Sequence, residues 1–359
     1  MYSYSYLLQF TSAVLSKMGF SENQAYESAK VFLAAEIRGH STHGVIRLGD
    51  YYKLWKAGRI NVNPKVRIIH ETPSTAVIDG DSTLGMIPAK LAMETAILKA
   101  GNVGTGWVAV KNSCNFGIAG YYAMMALEHD MIGMTMTNAS PLVSPTFAAE
   151  GMLGTNPIAV AIPALNQPAF VADFATTPVN RGKFTIAAKK GEKMNLGFAQ
   201  DKDGNPSGDP TILEKGGSML PLGGDREHGS HKGYCLGSIV DIFSGVLSGA
   251  NFGPFVPPMV AYLPLLEKTV GDGLGHFFGA MRVDAFRPAN EFKQSMDEWI
   301  TTFRNAKPAL GQKKVLIPGD LERESELKIR ETGICLIPQV SDDLKIIAQS
   351  FSITFEENK

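Results

Sequence analysis

The spacing of apolar residues predicts helices over the first sixty residues of the chain. Ser21-Glu22-Asn23-Gln24 matches the capping box, a hydroxyl residue followed three positions later by glutamine. The apolar positions of the helix that it opens continue to Gly39, which is expected to end the helix. After "HST" the pattern resumes, and apolar side chains three, four and three positions apart predict a second amphipathic helix. These are Val45, Leu48, Tyr52 and Trp55.

From about residue 74 the pattern changes to short β-rich runs that alternate with helical stretches. "STAVIDG", "GWVAV" and "IGMTMT" are typical of strands. "PAKLAMETAILKAG", with Gly101 as its end, and "GIAGYYAMMALEHD" are typical of the helices between them. Two further extended runs, "PIAVAIP" and "AFVADFA", follow without an intervening helix. The first part therefore predicts βαβ units and the second an antiparallel addition, which together form a mixed sheet.

The pattern is weaker beyond residue 190. Residues 191–231 are rich in Gly, Asp, Lys and Pro and are predicted to be loops. "YCLGSIVDIFSGVLSGA" predicts a buried helix, whereas "GPFVPP" and "VGDGLGHFFG" are irregular. Helices return near the C terminus, with Ser341 as a candidate cap. The apolar positions of these last helices are Phe292, Met296, Trp299 and Phe303, then Leu344, Ile347, Ala348 and Phe351.

Helical segments at both ends of a β-rich middle indicate that the two ends of the chain pack together. A length of 359 residues suits two domains. We therefore predict a helical domain from residues 1–70 and 280–359. Residues 71–279 are predicted to form a mixed-sheet domain.

Composition narrows the class of partner to small molecules. The 34 basic and 35 acidic side chains give a net charge of −1, which offers no electrostatic reason to bind nucleic acid or an anionic membrane. Three widely spaced cysteines form neither a disulfide framework nor a zinc motif, and this favours a reducing cytoplasmic compartment. "MYSYSYLLQF" lacks the features of a signal peptide, and no apolar run approaches the roughly 20 residues that span a bilayer.

The stretch "RGHSTHGVIR" concentrates polar chemistry in ten residues. With Thr42 as N-cap, His43 begins a helix and Arg47 lies one turn later on the same face, with Tyr51 beyond it. The helix dipole then lowers the pKa of His43, and the Arg47 guanidinium suits a carboxylate. Such a pair could bind an acid and exchange a proton beside it. Taken alone, the stretch is more typical of an ordinary capped helix, because polar helix starts are common.

Several well-known site motifs are missing. Neither "NSCNFGIAGYY" nor "GNVGTGW" fits the dinucleotide fingerprint GxGxxG, and the phosphate loop GxxxxGK[ST] and the metal motif HExxH are absent. A Rossmann enzyme and a metal centre are therefore not supported. Polar clusters instead lie next to predicted strands or helices, as in "TNASP", "GTNP", "DFATTPVNRGK" and "GSHKGY".

In chain order, "RGHSTHGVIRL", "NSCNFGIAGYYAMMA", "MTNASPLVSP", "LGTNPIAVAIP", "DFATTPVNRGK", "HKGYCLGSIVDIFSGVLSGA" and "IPGDLERE" resemble the malate/L-lactate dehydrogenase family that is unrelated to the Rossmann-type enzymes. Sulfolactate and ureidoglycolate dehydrogenases and Δ1-piperideine-2-carboxylate reductase are relatives of that family. The resemblance covers nearly the whole chain and implies a non-Rossmann α/β fold. It also implies an NAD- or NADP-dependent oxidoreductase of small 2-hydroxy and 2-oxo acids, usually a homodimer with contacts through the mixed-sheet domain.

The resemblance also implies roles for residues. The proton-transferring histidine falls on His43, its hydroxyl neighbour on Thr42 and the carboxylate-binding arginine on Arg47, while Thr155 would lie near the substrate. His40 is expected to be structural. The expected cofactor contacts are Asn115, Phe116, Gly117, Ile118, Ala119, Ser140, Asp173, Phe174, Ala175, His231, Lys232, Gly233, Pro318, Gly319, Asp320, Glu322, Arg323 and Glu324.

The chain departs from the family pattern at three positions. Thr42 replaces a serine and keeps the hydroxyl, whereas Asn115 replaces a histidine and cannot titrate. Lys183 stands where some relatives carry a carboxylate, and it could meet substrate or cofactor charge.

The substrate pair expected from this resemblance is (S)-malate and oxaloacetate. The alternatives are a lactate or sulfolactate dehydrogenase, an NADPH-dependent reductase of cyclic imino acids, and a non-catalytic protein that retains the fold.

Overall fold

The structure is a computed structural model that describes residues 1–259 and 261–356. The helices are α1 (Tyr4–Met18), α2 (Glu22–Ile37), α3 (Leu48–Lys56), α4 (Met86–Val103), α5 (Ala119–Met125), α6 (Arg181–Lys190), α7 (Ser230–Asp241), α8 (Ala289–Arg304), α9 (Asp320–Thr332) and α10 (Pro338–Ser350). The strands are β1 (Arg67–Glu71), β2 (Thr75–Thr83), β3 (Thr105–Ser113), β4 (Met131–Thr137), β5 (Ile158–Ile162), β6 (Phe170–Phe174), β7 (Ala199–Gln200), β8 (Pro206–Ser207), β9 (Ser218–Met219) and β10 (Leu274–Arg282).

A mixed sheet of seven strands, in the order β1-β2-β3-β10-β4-β5-β6, forms the centre of the fold. β2 and β3 are parallel and are joined by α4, which is the predicted βαβ unit. β4, β5 and β6 pair antiparallel without a helix between β5 and β6, as the sequence predicts. Both parts of the predicted mixed sheet are therefore confirmed.

The central strand β10 is the main error of the sequence prediction, which treated "VGDGLGHFFG" as irregular. β10 lies between β3 and β4 and pairs antiparallel with both. Its glycines mark close contacts and not a loop. A Cβ at Gly275 would overlap the main-chain oxygen of Ser244, and a Cβ at Gly279 would overlap the ring of Trp107.

Other local predictions also need correction. α4 continues past Gly101 and ends at Gly104, whose φ is 95°. α10 begins at Pro338, so Ser341 is not its cap, and its hydroxyl lies 2.8 Å from the Tyr2 hydroxyl. β1 lies in a segment without a predicted strand, and β7, β8 and β9 form a small sheet inside the predicted loop region 191–231.

Two apolar stripes are less buried than predicted. α7 and the π-helical turn Ile242–Val246 that continues it bury Val240 but leave Ile242 50% and Val246 53% exposed. On α8, Trp299 is 39% exposed and stacks on Phe303 with ring centres 4.2 Å apart. Both helices therefore present apolar side chains at the surface.

The two ends of the chain pack together, as predicted. The main chain of Tyr2 exchanges two hydrogen bonds with Ile334, at 2.9 and 2.8 Å. The Tyr2 ring also stacks on Phe355 with centres 5.2 Å apart. The predicted fold class is confirmed, while the exact domain boundaries stay a prediction. Among the described helices, none has the length and apolar character needed to cross a membrane.

Candidate active site

The loop after α2 carries the "RGHSTHGVIR" residues, and a buried carboxylate holds it. Glu36, in the last turn of α2, is 3% exposed and accepts a hydrogen bond of 2.8 Å from the Val45 N–H. The Ser41 side chain also hydrogen-bonds to it. A Cβ at Gly44 would overlap the Glu36 carboxylate, so the loop needs glycine there to approach so closely.

This anchoring changes the predicted local structure. Ser41–His43 and Val45–Arg47 are two single 3₁₀ turns separated by Gly44, and α3 begins only at Leu48. The prediction of a helix capped by Thr42 and opened by His43 is therefore wrong. Val45 donates its N–H to the Glu36 carboxylate, an acceptor outside the local sequence pattern.

His43 is held by its neighbour. Its Nδ1 lies 3.1 Å from the hydroxyl of Thr42, and its Nε2 makes no hydrogen bond within the described residues. Desolvation, together with the positive charges of Arg47 and His40, lowers the pKa of His43 to about 4. The predicted direction of the shift is correct, but its largest cause is burial. The ring is therefore neutral near pH 7 and able to accept a proton.

Arg47 is fixed by two contacts. Its Nε donates to the carbonyl oxygen of Thr42 at 2.8 Å, and Nη1 donates to Asp50 at 3.0 Å. Nη2 has no partner in the part of the chain that the structure describes. The guanidinium is thus oriented with one edge free to bind an anion.

Asn115 is also oriented, by Tyr51. The buried Tyr51 hydroxyl lies 2.9 Å from both the main-chain oxygen and Oδ1 of Asn115, and Oδ1 also accepts the Gly117 N–H at 3.0 Å. Burial raises the pKa of Tyr51 well above its usual value, so its hydroxyl stays protonated. Because Oδ1 is engaged twice, the Asn115 amide keeps its N–H groups for a ligand.

These side chains line a cavity of about 450 Å³. The polar lining is Thr42, His43, Arg47, Asn115, Ser140, Thr155, Asn180, Arg181 and Gly182. The apolar lining includes Pro254, Val256, Pro258, Met259 and Leu263. Six residues expected from the sequence therefore meet in one place: Thr42, His43, Arg47, Asn115, Ser140 and Thr155.

Two lining segments are absent from the sequence prediction. Asn180–Gly182 follow β6, in the stretch "DFATTPVNRGK" whose first residues alone are expected to contact a ligand. The second group precedes β10, and no local motif marks it as part of a site: Pro254, Val256, Pro258, Met259, Leu263, Pro264 and Leu266. Lys183 lies outside the lining, with Nζ 5.3 Å from the centre of the Phe198 ring, so the suggestion that it meets substrate charge is not supported.

Most of the expected cofactor residues after β3 have buried side chains, so mainly their main-chain atoms are available to a ligand. Phe116 is fully buried and stacks on His276 with ring centres 4.6 Å apart. Ile118 and Ala119 are also buried. The next N–H group, of Gly120, donates to Asp173 at 2.7 Å. The turn into α5 is thereby tied to the end of β6.

Charged side chains meet beside Asp173. Burial raises the pKa of Asp173, and the positive charges of His40 and Arg38 oppose that rise. Nε2 of His40 lies 3.8 Å from Glu322 of α9 but has no hydrogen-bond partner among the described residues. His40 therefore lies next to two expected cofactor residues, Asp173 and Glu322, and its structural role stays a prediction.

The other expected cofactor residues differ in their surroundings. The carbonyl of Pro318 accepts the Val171 N–H at 3.1 Å, so Gly319 and the start of α9 lie against β6. Asp320, Arg323 and Glu324 are already paired within the fold, with Arg304, Asp320 and Lys314 respectively. Phe174 is 41% exposed and precedes Ala175 at the end of β6.

His231, Lys232 and Gly233 form the first turn of α7 and do not line the cavity. Gly233 packs directly on the backbone of Leu222, and His231 lies beside Arg226. The structure thus leaves these three residues apart from the six that meet around His43.

Over residues 2–345 the chain matches the family model described as malate/L-lactate dehydrogenase. The chain belongs to the malate/L-lactate dehydrogenase family. It is 40% identical to a malate dehydrogenase of Pyrococcus abyssi, over 97% of this chain and 94% of that protein. It is 40% identical to an L-sulfolactate dehydrogenase of Methanocaldococcus jannaschii, over 96% and 95%. This malate/L-lactate dehydrogenase family member is therefore an oxidoreductase.

Solved structures agree with this assignment. The malate dehydrogenase of Entamoeba histolytica superimposes with a TM-score of 0.90 at 34% identity and covers 98% of both chains. The family assignment predicted from seven ordered sequence stretches is confirmed.

The buried Glu36 predicts a pH dependence of stability. Burial raises its pKa to about 7, so the carboxyl binds its proton more tightly in the folded than in the unfolded chain. Its contribution to the free energy of unfolding is fully present below about pH 4.5 and is lost as the pH rises through 7. Urea unfolding should show wild type losing on the order of 2–3 kcal/mol relative to Glu36→Gln between pH 5 and 8. Parallel pH profiles of the two proteins would contradict the shift.

Proposed function

We propose that this enzyme interconverts a small 2-hydroxy acid and its 2-oxo acid, with (S)-malate and oxaloacetate as the preferred pair. The observation that carries the proposal is a neutral histidine next to an oriented guanidinium in one cavity. Malate and sulfolactate, the acids in the names of the two relatives, are both 2-hydroxy acids with a second acidic group.

We propose NAD or NADP as the cofactor, held by residues between Asn115 and the start of α9. The residues present fit such a group. The Asn115 amide can donate hydrogen bonds to a carboxamide oxygen, and the carboxylates of Asp173 and Glu322 can accept hydrogen bonds from ribose hydroxyls. The buried Nε2 of His40, which has no hydrogen-bond partner among the described residues, also suits a polar ligand there. Such a cofactor would supply a hydride acceptor for oxidation at C2 of the hydroxy acid and a hydride donor for reduction of the oxo acid.

The chain's own residues supply the proton and the orientation. Nε2 of neutral His43 accepts the proton of the C2 hydroxyl during oxidation and returns it during reduction. The free edge of Arg47 holds the C1 carboxylate, so that C2 stays in a fixed position. The apolar lining residues Pro254, Val256, Pro258, Met259 and Leu263 lower the polarity beside these groups, which strengthens both interactions.

His43→Ala should lower kcat for malate oxidation by at least 100-fold, because general-base catalysis is typically worth about 10²–10⁴. Binding of the nicotinamide cofactor, measured by fluorescence titration, should stay within a few-fold of wild type. The exposed His70 provides a matched control, and His70→Ala should have wild-type turnover. In Glu36→Gln, which removes the loop carboxyl whose pKa is about 7, kcat/KM for oxidation should show no inflection near pH 6.5 and should fall towards pH 4. A wild-type kcat in His43→Ala, or an inflection near pH 6.5 in Glu36→Gln, would refute this role.

Arg47→Lys should raise KM for oxaloacetate at least tenfold. A point ammonium can neither reproduce the planar guanidinium nor keep both contacts, to Thr42 and Asp50, that orient it. Steady-state kinetics at saturating cofactor measure the effect. Arg67→Lys, on the exposed strand β1, is the matched control and should behave as wild type. An unchanged KM in Arg47→Lys would exclude Arg47 from carboxylate binding.

We also propose that the enzyme is a cytoplasmic homodimer that associates through α7. Ile239, Ile242 and Val246, which are three and four positions apart, leave apolar surface exposed on one face of the helix. Ile242→Glu with Val246→Glu should convert a dimer into a monomer, as measured by light scattering after gel filtration. Ile346→Glu, at an exposed site on α10, is the matched control and should stay dimeric. A monomeric wild type, or a dimeric double variant, would disprove this interface.

A further inference from the structure

The ionisable side chains that line the cavity are all basic. Its ionisable lining residues are His43, Arg47 and Arg181, and no carboxylate lines it among the described residues. His43 is neutral near pH 7, so the lining carries two positive charges. Asp50 offsets part of the charge of Arg47 from outside the lining. Arg181 is exposed and has no ion pair or hydrogen bond within the described residues, so no protein carboxylate offsets its positive charge at the cavity.

Arg181 is held beside the catalytic loop by its place in the fold. It is the first residue of α6, whose N-cap Asn180 accepts the Lys183 N–H at 3.1 Å. A Cβ at the next residue, Gly182, would lie 3.1 Å from Cγ2 of Thr42, so the start of α6 packs on the loop. Arg181 therefore reaches the cavity from an element other than the one that carries Arg47.

We propose that Arg181 determines substrate specificity by binding a second acidic group of the substrate. The substrate class is then a 2-oxo or 2-hydroxy acid with a terminal carboxylate or sulfonate, whose C1 carboxylate is held by Arg47. This inference rests on the proposed function. Two guanidinium groups from different elements match two separated anions, and the absence of lining carboxylates removes any internal competitor for Arg181.

The test compares acids that differ in one charge. Steady-state kinetics at saturating cofactor are measured with oxaloacetate and sulfopyruvate, and with 2-oxobutyrate and pyruvate, which lack the second acidic group. Arg181→Gln should lower kcat/KM for the two diacids roughly 10- to 100-fold, the range expected for one hydrogen bond to a charged group. The values for the two monoacids should be unchanged or higher.

Two further variants sharpen the result. Arg181→Lys keeps the charge and should recover part of the activity with diacids. Lys183→Gln removes a neighbouring charge on the same helix that does not line the cavity, so it should behave as wild type. Thermal unfolding checks that each variant is folded.

The outcomes separate the two proposals. An equal fall of kcat/KM for all four acids, or a raised KM for the nicotinamide cofactor, would overturn the role of Arg181 and leave the proposed reaction intact. A wild-type enzyme that reduces none of the four acids would overturn the proposed function and this inference with it.

Discussion

The buried carboxylate of Glu36 fixes the backbone on which the candidate chemistry depends. By accepting the Val45 N–H it holds the chain between two 3₁₀ turns, and Gly44 allows the loop to lie directly on it. Arg47 then reaches back across the loop to the carbonyl of Thr42. The hydrogen bonds from Val45 and Ser41 offset part of the cost of burying this carboxyl group. His43 and Arg47 are thus oriented before any ligand binds.

Strand direction explains why distant parts of the chain reach the same cavity. β3, β4 and β6 run the same way, because β10 is antiparallel to β3 and β4, and β5 is antiparallel to β4 and β6. The segments that follow β3, β4 and β6 therefore start at the same end of the strands, and they carry Asn115, Ser140 and Arg181. β5 and β10 run the opposite way, so the segments before them reach that same end of the sheet. These carry Thr155 and the apolar lining residues. The candidate site therefore lies at one end of these strands, where open α/β sheets usually bind ligands.

Local signals predicted much of this fold. The capping box of Ser21 and Gln24 forms as expected, and the strand-like runs all become strands. What failed depends on contacts between distant residues. The glycines of β10 resemble a loop in sequence because the reason for them, contact with Ser244 and Trp107, lies elsewhere in the chain. In the candidate site, too, local motifs predicted some residues, whereas others depend on contacts between distant parts of the chain.

The ordered motifs predicted six residues that the structure places around one cavity. No single motif would have been enough to predict them. Arg181 was not predicted because its proposed role depends on the lack of an ion-pair partner. No side chain in the described part of the fold neutralises its charge. A sequence pattern shows residue types, but whether a charge has a partner is a property of the folded chain. For the same reason the motif "GSHKGY" could not show that its residues would lie at the start of α7, away from this cavity.

The electrostatics of the cavity connect binding with proton transfer in the proposed reaction. The positive charge of Arg47 contributes to the low pKa of His43, so the empty site favours the neutral base that oxidation requires. Either acid of the pair, with anionic groups on Arg47 and Arg181, would offset that repulsion and raise the pKa of His43 above its value in the empty site. A raised pKa makes the neutral imidazole a stronger base towards the C2 hydroxyl and lets the ring hold the proton that reduction consumes. The two arginines would therefore both bind the substrate and bring the proton affinity of the histidine closer to what each direction needs.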